Sequence, residues 1–404
     1  MKILMVTPYL PYPPLSGGQT RSFNLLKHLS KNCDITLFSF VLPDQSSRYI
    51  KNLKRYCSKV RAVERGKTWS LKKILFTGLS PYPFLVINYF SRQLKRMIGQ
   101  ELRREDYDLV HVECFYLMPN IPRTTTPILL VDQTIEFAVY QHYVETLPRK
   151  FSLLKPLLSI DVFKIKFWET RFWHRADCLV AVSQEDQRLM RSLSRREVAV
   201  VPNGVDEALL KIKKVEKYRQ PTILYGVANF KWMQNKEGAV NLLKYVWPQI
   251  KAQVPQARLL IIGRHSESFI RSTGLVAPGE KDIVVKEVRD AERVYRRSWL
   301  MVAPMGSGGG SRTKFFEAMA CGLPIVTTPE GIEGIDAQWG KDVFVNKNFE
   351  QLARTAVKLL TDQKFRTKAG QLARRLIKEK YSWRLSAQKL YSIYQQVAKE
   401  QLVK

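Results

Sequence analysis

Apolar and polar positions follow two rhythms along the chain, one typical of buried strands and one typical of amphipathic helices. Apolar runs such as KILMVT and DITLFSF alternate with segments such as QTRSFNLLKHLSK, where Phe23, Leu26 and Leu29 recur on one side. YDLVHVE, TPILLVD, ADCLVAVS and EVAVVPN are further strand candidates in the first half. Strands that alternate with helices predict an α/β fold with a parallel, doubly wound sheet.

A second series of strand candidates begins after the strand-poor stretch VPNGVDEALLKIKKVEKYRQP. The series consists of PTILYGVA, ARLLIIGR, DIVVKEV, WLMVAPM and LPIVTTP. A chain of 404 residues is also too long for one ordinary core. We therefore predict two Rossmann-like domains, 1–205 and 206–380, that face each other across a cleft, followed by a helix over 381–404. Ligands are expected at the carboxyl ends of the strands.

Composition narrows the class of protein. The five cysteines form no C-x-x-C pair, which favours a reducing compartment, and the N-terminal apolar run is too short for a signal peptide. We expect a cytoplasmic protein. The net charge of +30 fits a phosphorylated substrate, an anionic membrane surface or nucleic acid. Nucleic acid is the weakest of these candidates because no nucleic-acid-binding module is present.

Glycines concentrate after the strand candidate WLMVAPM. Gly309 and Gly310 precede Ser311, Arg312 and Thr313, where a helix is expected to begin. Glycines let the backbone approach a ligand, and the first N–H groups of a helix have no partners within it. Together with the helix dipole they predict a diphosphate site. A flexible loop followed by an ordinary helix cap is the alternative.

Glu317 lies about one and a half turns into that helix, among apolar neighbours. A buried carboxylate is costly unless it is hydrogen-bonded, and ribose hydroxyls are suitable donors. The loop is neither a P-loop nor a dinucleotide-binding G-x-G-x-x-G. The sequence thus predicts a nucleotide site in which Glu317 binds the ribose beside the diphosphate.

The segment GGGSRTKFFEAMACGLPIVTTPEGIEGI resembles the donor-site signature of family 4 glycosyltransferases, in the branch with G-G-G-[ST]-R-x-K-x-x-E-A-M-A. TPYLPYPPLSGGQTRSFNLLKHLS, YDLVHVE, LLVDQTIE, RADCLVAVSQEDQRLM and VVPNGVD are similar to further blocks of that family, in the same order. The resemblance implies the GT-B fold and a retaining enzyme that moves a sugar from a nucleotide sugar to a hydroxyl acceptor. It also implies that the last helix, with YSWRLSAQKLYSIY, crosses back to the first domain.

The resemblance assigns the nucleotide sugar to the second domain and the acceptor to the first. The diphosphate would meet the backbone at Ser311 to Thr313, with Gly17 and Gly18 facing it across the cleft. No cofactor is implied. No metal is required if helix N–H groups and basic side chains neutralise the leaving group, and the sequence has no D-x-D or histidine cluster.

Three positions depart from the family pattern on the donor side. Gly309 stands where a second glutamate is typical, and Asn229 and Asn235 stand near the usual Arg and Lys. Neighbouring basic side chains are candidates to neutralise phosphate instead, with solvated surface charge as the alternative reading of each: Lys231, Lys236 and Arg264.

The acceptor side departs from the pattern as well. Many relatives have a functional histidine at the position of Glu113, and the usual histidine of LLVDQTIE is replaced by Gln133 or Thr134. An acidic side chain at the end of a strand is expected to face the cleft, which favours Glu113 over His111. Either Glu113 or Glu136 would then bind or deprotonate an acceptor hydroxyl.

Residues 149–175 mix apolar and cationic side chains at helical spacing. The predicted apolar stripe consists of Leu154, Leu158, Val162, Ile165, Trp168 and Phe172. Such a helix fits an anionic membrane surface, and packing of the stripe on its own domain is the alternative. A membrane-attached protein would suit a lipid-linked sugar acceptor, as in cell-surface polysaccharide or glycolipid assembly. A soluble acceptor is the alternative.

Two other functions remain compatible with the sequence. A sugar-nucleotide epimerase of the same fold would act on a nucleotide sugar without an acceptor. A non-catalytic relative would bind nucleotide, carbohydrate or membrane without transferring sugar.

Overall fold

The computed structural model describes residues 1–41, 47–66, 70–147, 153–213, 215–288, 290–306 and 313–402. The chain divides into two compact units. The N-terminal unit comprises Met1–Pro202 and Arg384–Lys404, and the C-terminal unit comprises Asn203–Trp383. The second unit thus begins three residues before the 206 expected from the sequence, and the return to the first unit comes three residues after the expected 381.

The N-terminal unit contains a seven-stranded parallel sheet of order β3-β2-β1-β4-β5-β6-β7. Its strands are β1 (Lys2–Thr7), β2 (Asp34–Val41), β3 (Lys59–Glu64), β4 (Leu109–Glu113), β5 (Ile128–Asp132), β6 (Cys178–Ala181) and β7 (Val198–Val200). Every residue of β4 and β5 is buried, as expected for central parallel strands covered by helices on both faces.

Among the described residues, eight α-helices connect these strands. They are α1 (Gly17–Leu29), α2 (Ser47–Leu53), α3 (Leu71–Leu79), α4 (Phe84–Tyr89), α5 (Arg92–Arg104), α6 (Glu136–Glu145), α7 (Lys155–Arg175) and α8 (Gln184–Ser194). A 3-10 helix over Phe115–Asn120 follows β4.

The C-terminal unit contains a six-stranded parallel sheet of order β10-β9-β8-β11-β12-β13. Its strands are β8 (Thr222–Asn229), β9 (Arg258–Arg264), β10 (Ile283–Lys286), β11 (Leu300–Ala303), β12 (Ile325–Thr327) and β13 (Phe344–Val345). Both sheets therefore have the parallel, doubly wound order predicted from the sequence.

Helices connect the strands of the C-terminal unit and follow the last of them. They are α9 (Met233–Asn241), α10 (Trp247–Gln253), α11 (Ser266–Thr273), α12 (Ala291–Arg297), α13 (Thr313–Ala320), α14 (Pro329–Ile332), α15 (Phe349–Thr361) and α16 (Gln363–Lys380). The predicted last helix is α17 (Trp383–Leu402), and from Arg384 onward it belongs to the N-terminal unit.

Two glycines bend the carboxyl end of β8 against β9. The pairing shifts register between Tyr225 and Ala228, and Gly226 and Gly263 have φ values of 121° and 151°. A Cβ on Gly226 would lie 2.1 Å from the carbonyl oxygen of Ile262. Only glycine fits so close a backbone approach, and the register shift forms a bulge near the carboxyl end of β8.

Two described strands, β3 and β13, were not predicted from the pattern of apolar residues. Both lie at the edge of a sheet. β3 mixes three charged residues with three apolar ones, and β13 has only two residues, so neither forms a buried apolar run. An edge strand needs fewer apolar residues because one side has no neighbouring strand.

The predicted apolar stripe of α7 packs mainly inside its own unit. Ile165 and Phe172 are buried, and Leu158, Val162 and Trp168 are partly buried. Core packing, the alternative reading of this stripe, therefore accounts for these five residues, whereas Leu154 at the start of the stripe is exposed. None of the described helices is both long and apolar enough to cross a membrane.

Candidate active site

The sheet of the C-terminal unit has a switch point at the carboxyl ends of β8 and β11. The chain passes from β8 to β9 on one side, whereas β11 lies on the other. Ligands of open parallel sheets bind at such points. Asn229 ends β8 next to Arg264 at the end of β9, and α13 begins at Thr313 soon after β11. These elements form the predicted donor edge.

Lys314 is the charged side chain that the structure places deepest at this edge, with 7% of its surface exposed. Its Nζ donates a hydrogen bond to Asn235 Oδ1 at 2.7 Å and lies 5.5 Å from the ring centroids of Tyr225 and Phe315. Asn235 is itself oriented, since its Nδ2 donates to the Asn229 carbonyl oxygen at 2.9 Å. An ammonium in such surroundings is poorly screened by water, so it attracts an anion strongly.

The position of Lys314 compensates for one departure of the sequence from its family pattern, namely Asn235. Asn235 stands near the place where a lysine is common, and Lys314 brings its ammonium to that side chain from the opposite side of the switch point. Lys314 was absent from the predicted site residues, although it is the lysine of the R-x-K signature.

Glu317 lies three residues after Lys314 on α13, and residues at this spacing share one helix face. Its Oε2 accepts a hydrogen bond from the Tyr295 hydroxyl at 3.2 Å. Burial raises the pKa of Glu317 to about 7, although the Tyr295 hydrogen bond acts to lower it. A partly buried carboxylate is suited to accept hydrogen bonds from sugar hydroxyls.

The basic side chains predicted from the sequence lie nearer the solvent. Lys231 and Arg264 are exposed, and Lys236 is half-buried with its Nζ 5.5 Å from the Phe269 ring centroid. Within the described parts of the chain, none of the three takes part in an ion pair. They remain candidates for a ligand that reaches this edge.

The glycine loop lies mostly outside the described residues, and this includes Gly309, Gly310, Ser311 and Arg312. The preceding Gly306 is described, and a Cβ there would lie 2.1 Å from Glu237 Oε1. The chain therefore enters the loop in close contact with a carboxylate. Thr313, on the far side of the loop, is the first residue of α13 and is half-buried.

The sheet of the N-terminal unit has a corresponding switch point between β1 and β4. Gly17 and Gly18 are the first residues of α1. A Cβ on Gly18 would lie 1.6 Å from the Tyr9 hydroxyl oxygen and 2.6 Å from Gln133 Oε1. The missing side chain therefore makes room for Tyr9 and Gln133 at the start of the helix.

Glu113 and His111 belong to one buried network. Both side chains are fully buried, and His111 Nε2 lies 3.3 Å from Glu113 Oε1. Gln133 Nε2 donates to Glu113 Oε2, and the Tyr394 hydroxyl of α17 is hydrogen-bonded to His111 Nδ1. The sequence favoured Glu113 over His111 as the residue that faces the cleft, but the structure buries both side chains completely in one network.

Electrostatics keep the Glu113 carboxylate ionised despite its burial. Burial alone would raise the pKa of Glu113, but hydrogen bonds and attraction to His111, with the nearby Arg21 guanidinium, bring it below the ordinary value. Arg21, on α1, is also buried. Glu113 therefore carries a negative charge at the base of this edge and holds Gln133 in place.

Glu136, the first residue of α6, differs from Glu113 in protonation. Burial, reinforced by the negative charge of Asp132, raises the pKa of Glu136 to about 8. Its backbone N–H donates to Glu169 Oε1 at 2.9 Å, and the N–H of Phe137 donates to Oε2 at 3.0 Å. Among the residues that the structure describes, the Glu136 carboxylate has no hydrogen-bond partner. A carboxyl group with a pKa near neutrality can give or take a proton.

The two glutamates influence a common side chain. Burial raises the pKa of the Tyr9 hydroxyl well above its ordinary value, and the charges of Glu113 and Glu136 add to this effect. The Tyr9 hydroxyl also donates to Gln133 Oε1 at 3.4 Å. Gly18, Glu113 and Glu136 therefore surround the same region of the N-terminal unit.

Asp132, which precedes Gln133, has a structural role. Its carboxylate accepts hydrogen bonds from the indole N–H of Trp173 and, at 2.9 Å, from the backbone N–H of Phe115. These contacts tie α7 and the 3-10 helix to the end of β5. In the described parts of the chain, no group of three or more His, Cys, Asp or Glu side chains could hold a metal ion. Metal independence stays a prediction.

Several residues of both edges were not identified from sequence. They are Tyr9, Arg21, Tyr295, Lys314 and Tyr394. Only Lys314 had a usable signal, because it occupies a defined position of the signature. The other four reach their partners through tertiary packing, since Tyr394 lies 283 residues from His111 and Tyr295 lies 22 residues from Glu317.

Solved structures with the same architecture identify the fold of this protein. A glycosyltransferase from Rickettsia africae superposes with a TM-score of 0.68 at 15% identity, over 98% of both chains. Sucrose-phosphate synthase from Thermosynechococcus elongatus gives 0.68 at 17% identity, over 98% of this chain and 99% of that one. HepE from Anabaena, in a complex with UDP and glucose, gives 0.63 at 12%, over 98% and 100%. The fold is that of a two-domain GT-B glycosyltransferase.

Sequence comparison assigns the family. The model described as Glycosyltransferase Family 4 matches residues 15–209, and the model described as Glycosyl transferases group 1 matches residues 220–362. The uncharacterized glycosyltransferase MJ1069 of Methanocaldococcus jannaschii is 22% identical over 98% of both chains. Spore coat protein SA of Bacillus subtilis is 24% identical, over 98% of this chain and 99% of that protein. The chain belongs to the family 4, group 1 glycosyltransferases.

Proposed function

We propose that the protein is a retaining, metal-independent transferase that moves a sugar from a nucleoside diphosphate sugar to a hydroxyl acceptor. The observation that carries the proposal is the pairing of Lys314 and Glu317 on one face of α13, at the switch point of the C-terminal sheet. The first supplies positive charge for a diphosphate, and the second supplies acceptors for a ribose.

The leaving group sets the electrostatic demand on the site. When the bond between the anomeric carbon and the diphosphate oxygen breaks, the oxygen keeps the electron pair and gains negative charge. Lys314 would neutralise that charge together with the N-terminal N–H groups of α13, and Lys231, Lys236 or Arg264 would contribute from nearer the solvent. The acceptor oxygen would bond to the same face of the sugar, and this retention follows from the family resemblance.

The acceptor hydroxyl must lose its proton as the new bond forms. Glu136 is the better of the two predicted bases, because its carboxylate is half-buried and its pKa lies near 8. The buried Glu113 would instead hold Gln133 and the start of α1 in position. A diphosphate oxygen of the donor is the other proton acceptor that this chemistry offers.

The donor and acceptor classes follow from related proteins and from charge. HepE is named in complexes with UDP and with UDP-glucose, which supports UDP as the first nucleotide to test. The five scattered cysteines favour a cytoplasmic enzyme. The net charge of +30 favours one that works beside an anionic membrane surface on a lipid-linked sugar, with a soluble sugar acceptor as the alternative.

A binding experiment tests the proposal before any acceptor is known. Ligands that bind only the folded state raise the melting temperature, so the protein is melted with UDP, GDP, ADP and their glucose conjugates. We expect nucleotides with one particular base to raise the melting temperature of the wild type. Glu317→Ala should weaken binding of that nucleotide by more than about tenfold. Unchanged affinity in Glu317→Ala would remove the carboxylate from the donor site.

Turnover of the stabilising nucleotide sugar separates the remaining functions. A transferase should release the nucleoside diphosphate slowly when water is the acceptor, and faster when a suitable sugar supplies the acceptor hydroxyl. Conversion of the donor to an isomeric nucleotide sugar without any acceptor would identify an epimerase. Binding without turnover under any acceptor condition would identify a non-catalytic relative.

A further inference from the structure

Two helices of the N-terminal unit expose large apolar side chains to solvent. On α3 the exposed residues are Leu71, Ile74, Leu75, Phe76 and Leu79, and on or just before α7 they are Leu153, Leu154, Leu157, Ile160, Phe163 and Phe167. Leu79 is 89% exposed and Phe163 is 71% exposed. We call this set the α3–α7 surface. Contiguous exposed apolar area on a soluble unit marks a binding surface.

The end of α3 and the turn that follows it are held against α7. Lys164 Nζ, on α7, donates to the carbonyl oxygens of Thr77 and Ser80 at 2.8 and 2.7 Å, at the end of α3. Trp168 Nε1 donates to the Pro81 carbonyl oxygen at 2.8 Å, and the Trp168 and Tyr82 rings stack with centroids 4.5 Å apart. The exposed residues of both helices therefore belong to one neighbourhood.

Each helix has more apolar residues than its own unit can bury. α7 packs Ile165, Phe172 and Trp173 inward, and its exposed residues occupy a second face. No residue of α3 is fully buried. A surface helix normally turns its polar face to water, so a helix that is also apolar outside has an external partner.

The charges around the surface are predominantly positive. Lys72, Lys166 and Arg171 are exposed on α3 and α7. The acidic residues of these helices are engaged inside the unit. Glu169 is buried and accepts the two N–H groups at the start of α6, and Asp161 Oδ1 accepts the N–H of Phe84 at 3.0 Å. A second copy would bring like charges together, whereas an anionic partner would be attracted.

We propose that the α3–α7 surface docks the protein on an anionic lipid bilayer. The leucine and phenylalanine side chains enter the boundary between headgroups and acyl chains, while the lysines and arginine lie at the phosphates. The inference deepens the proposed function, on which its biological purpose rests, by naming the surface that would bring the enzyme to a lipid-linked acceptor. Its physical basis is independent of catalysis.

Flotation with lipid vesicles tests the proposal on the full-length protein. The vesicles consist of phosphatidylcholine alone or of phosphatidylcholine with phosphatidylglycerol. The test variant carries Leu157→Ser and Phe163→Ser. The control carries Ile212→Ser and Trp339→Ser, two changes at similarly exposed apolar residues of the C-terminal unit. All four side chains are exposed, so the melting temperature should change little in either variant.

The wild type and the control should float with the anionic vesicles, and the test variant should bind at least about tenfold more weakly. Added salt should weaken but not abolish wild-type binding, because apolar insertion is not screened. Equal binding of the test variant, or no wild-type binding to anionic vesicles, would overturn the proposal. Self-association of the wild type that the test variant loses, without vesicle binding, would assign the surface to a second copy.

A separate measurement keeps this inference distinct from the proposed function. Nucleotide-induced thermal shifts without vesicles report on the donor site of the C-terminal unit, and the test variant should retain them. Loss of vesicle binding with intact nucleotide binding supports the docking surface. Nucleotide binding without any vesicle binding refutes the docking surface and leaves the transferase proposal intact.

Discussion

The Lys314 ammonium donates a 2.7 Å hydrogen bond to the Asn235 side chain, and this bond joins α13 to α9 across the switch point of the C-terminal sheet. Each residue explains an unusual feature of the other. Asn235 stands near the place where a basic residue is common in the family, and Lys314 is a lysine with only 7% of its surface exposed. We interpret the pair as a relocated positive charge at the donor edge.

Replacing Lys314 by methionine should weaken nucleoside diphosphate binding by about tenfold to a hundredfold, the usual value of a hydrogen bond to a charged group. Binding of the corresponding nucleoside should change much less, because the nucleoside has no phosphate. Isothermal titration of both ligands measures the two effects. Lys341→Met, at an exposed lysine of the same unit, is the control. Equal losses for nucleoside and diphosphate would assign Lys314 to the architecture of the site.

Nucleotide affinity should depend on pH through Glu317. With a pKa of about 7 in the free protein, this side chain is increasingly protonated as the pH falls, and only the carboxylate accepts hydrogen bonds from both ribose hydroxyls. Affinity should therefore decrease between about pH 8 and pH 6. Titrations at several pH values measure this change. Glu317→Gln should bind weakly with a flatter profile, and a parallel decrease in both proteins would place the titration on the ligand.

Glu136 should make folding stability depend on pH. Its pKa is about 8 in the folded protein and lies near 4.5 when unfolded, so the folded state binds the proton more tightly. This contribution is fully present below the unfolded pKa and is lost as the pH rises through about 8. Urea unfolding should therefore show Glu136→Gln gaining stability relative to wild type between about pH 5 and pH 9. A constant difference would contradict the raised pKa.

Gly18→Ala should destabilise the N-terminal unit by about 1–3 kcal/mol, because the added Cβ would overlap the Tyr9 hydroxyl. Tyr9 or Gln133 must then move, and the contact of Gln133 with Glu113 is disturbed. Gly66→Ala is the matched control, since a Cβ there meets no atom within 4 Å. Thermal unfolding of both variants measures the difference. Similar melting temperatures would show that Tyr9 relaxes without cost.

The sheets were predictable because they are built from local apolar runs. β4 and β5 are continuous buried segments, and central parallel strands require such segments wherever they occur. β3 and β13 were missed, because at an edge the apolar pattern is weak and pairing depends on a neighbouring strand. A parallel, doubly wound sheet was expected from the alternation of strands and helices, because that alternation is typical of such sheets.

The candidate site was predictable only where a residue's chemistry is expressed in its own segment. Glu317 stood out as an acid on an apolar helix, and the structure places it at the donor edge with Tyr295. Its partner Tyr295 carried no such signal, since a tyrosine on an amphipathic helix is ordinary. Glu113 was recognised, but its enclosure by His111, Gln133 and the rest of the network was not.

The sequence by itself determined the α/β class, most strands, the glycine-rich signature and the acid that follows it, because each is set by residues adjacent along the chain. Tertiary structure decided which of these groups are buried, which are charged and which act together. Lys314 is hydrogen-bonded to Asn235, which lies 79 residues away in the sequence. Helix α7 exposes one apolar face while it buries another. Both facts depend on neighbours distant in sequence, and burial by such neighbours sets the pKa values and the exposed surface.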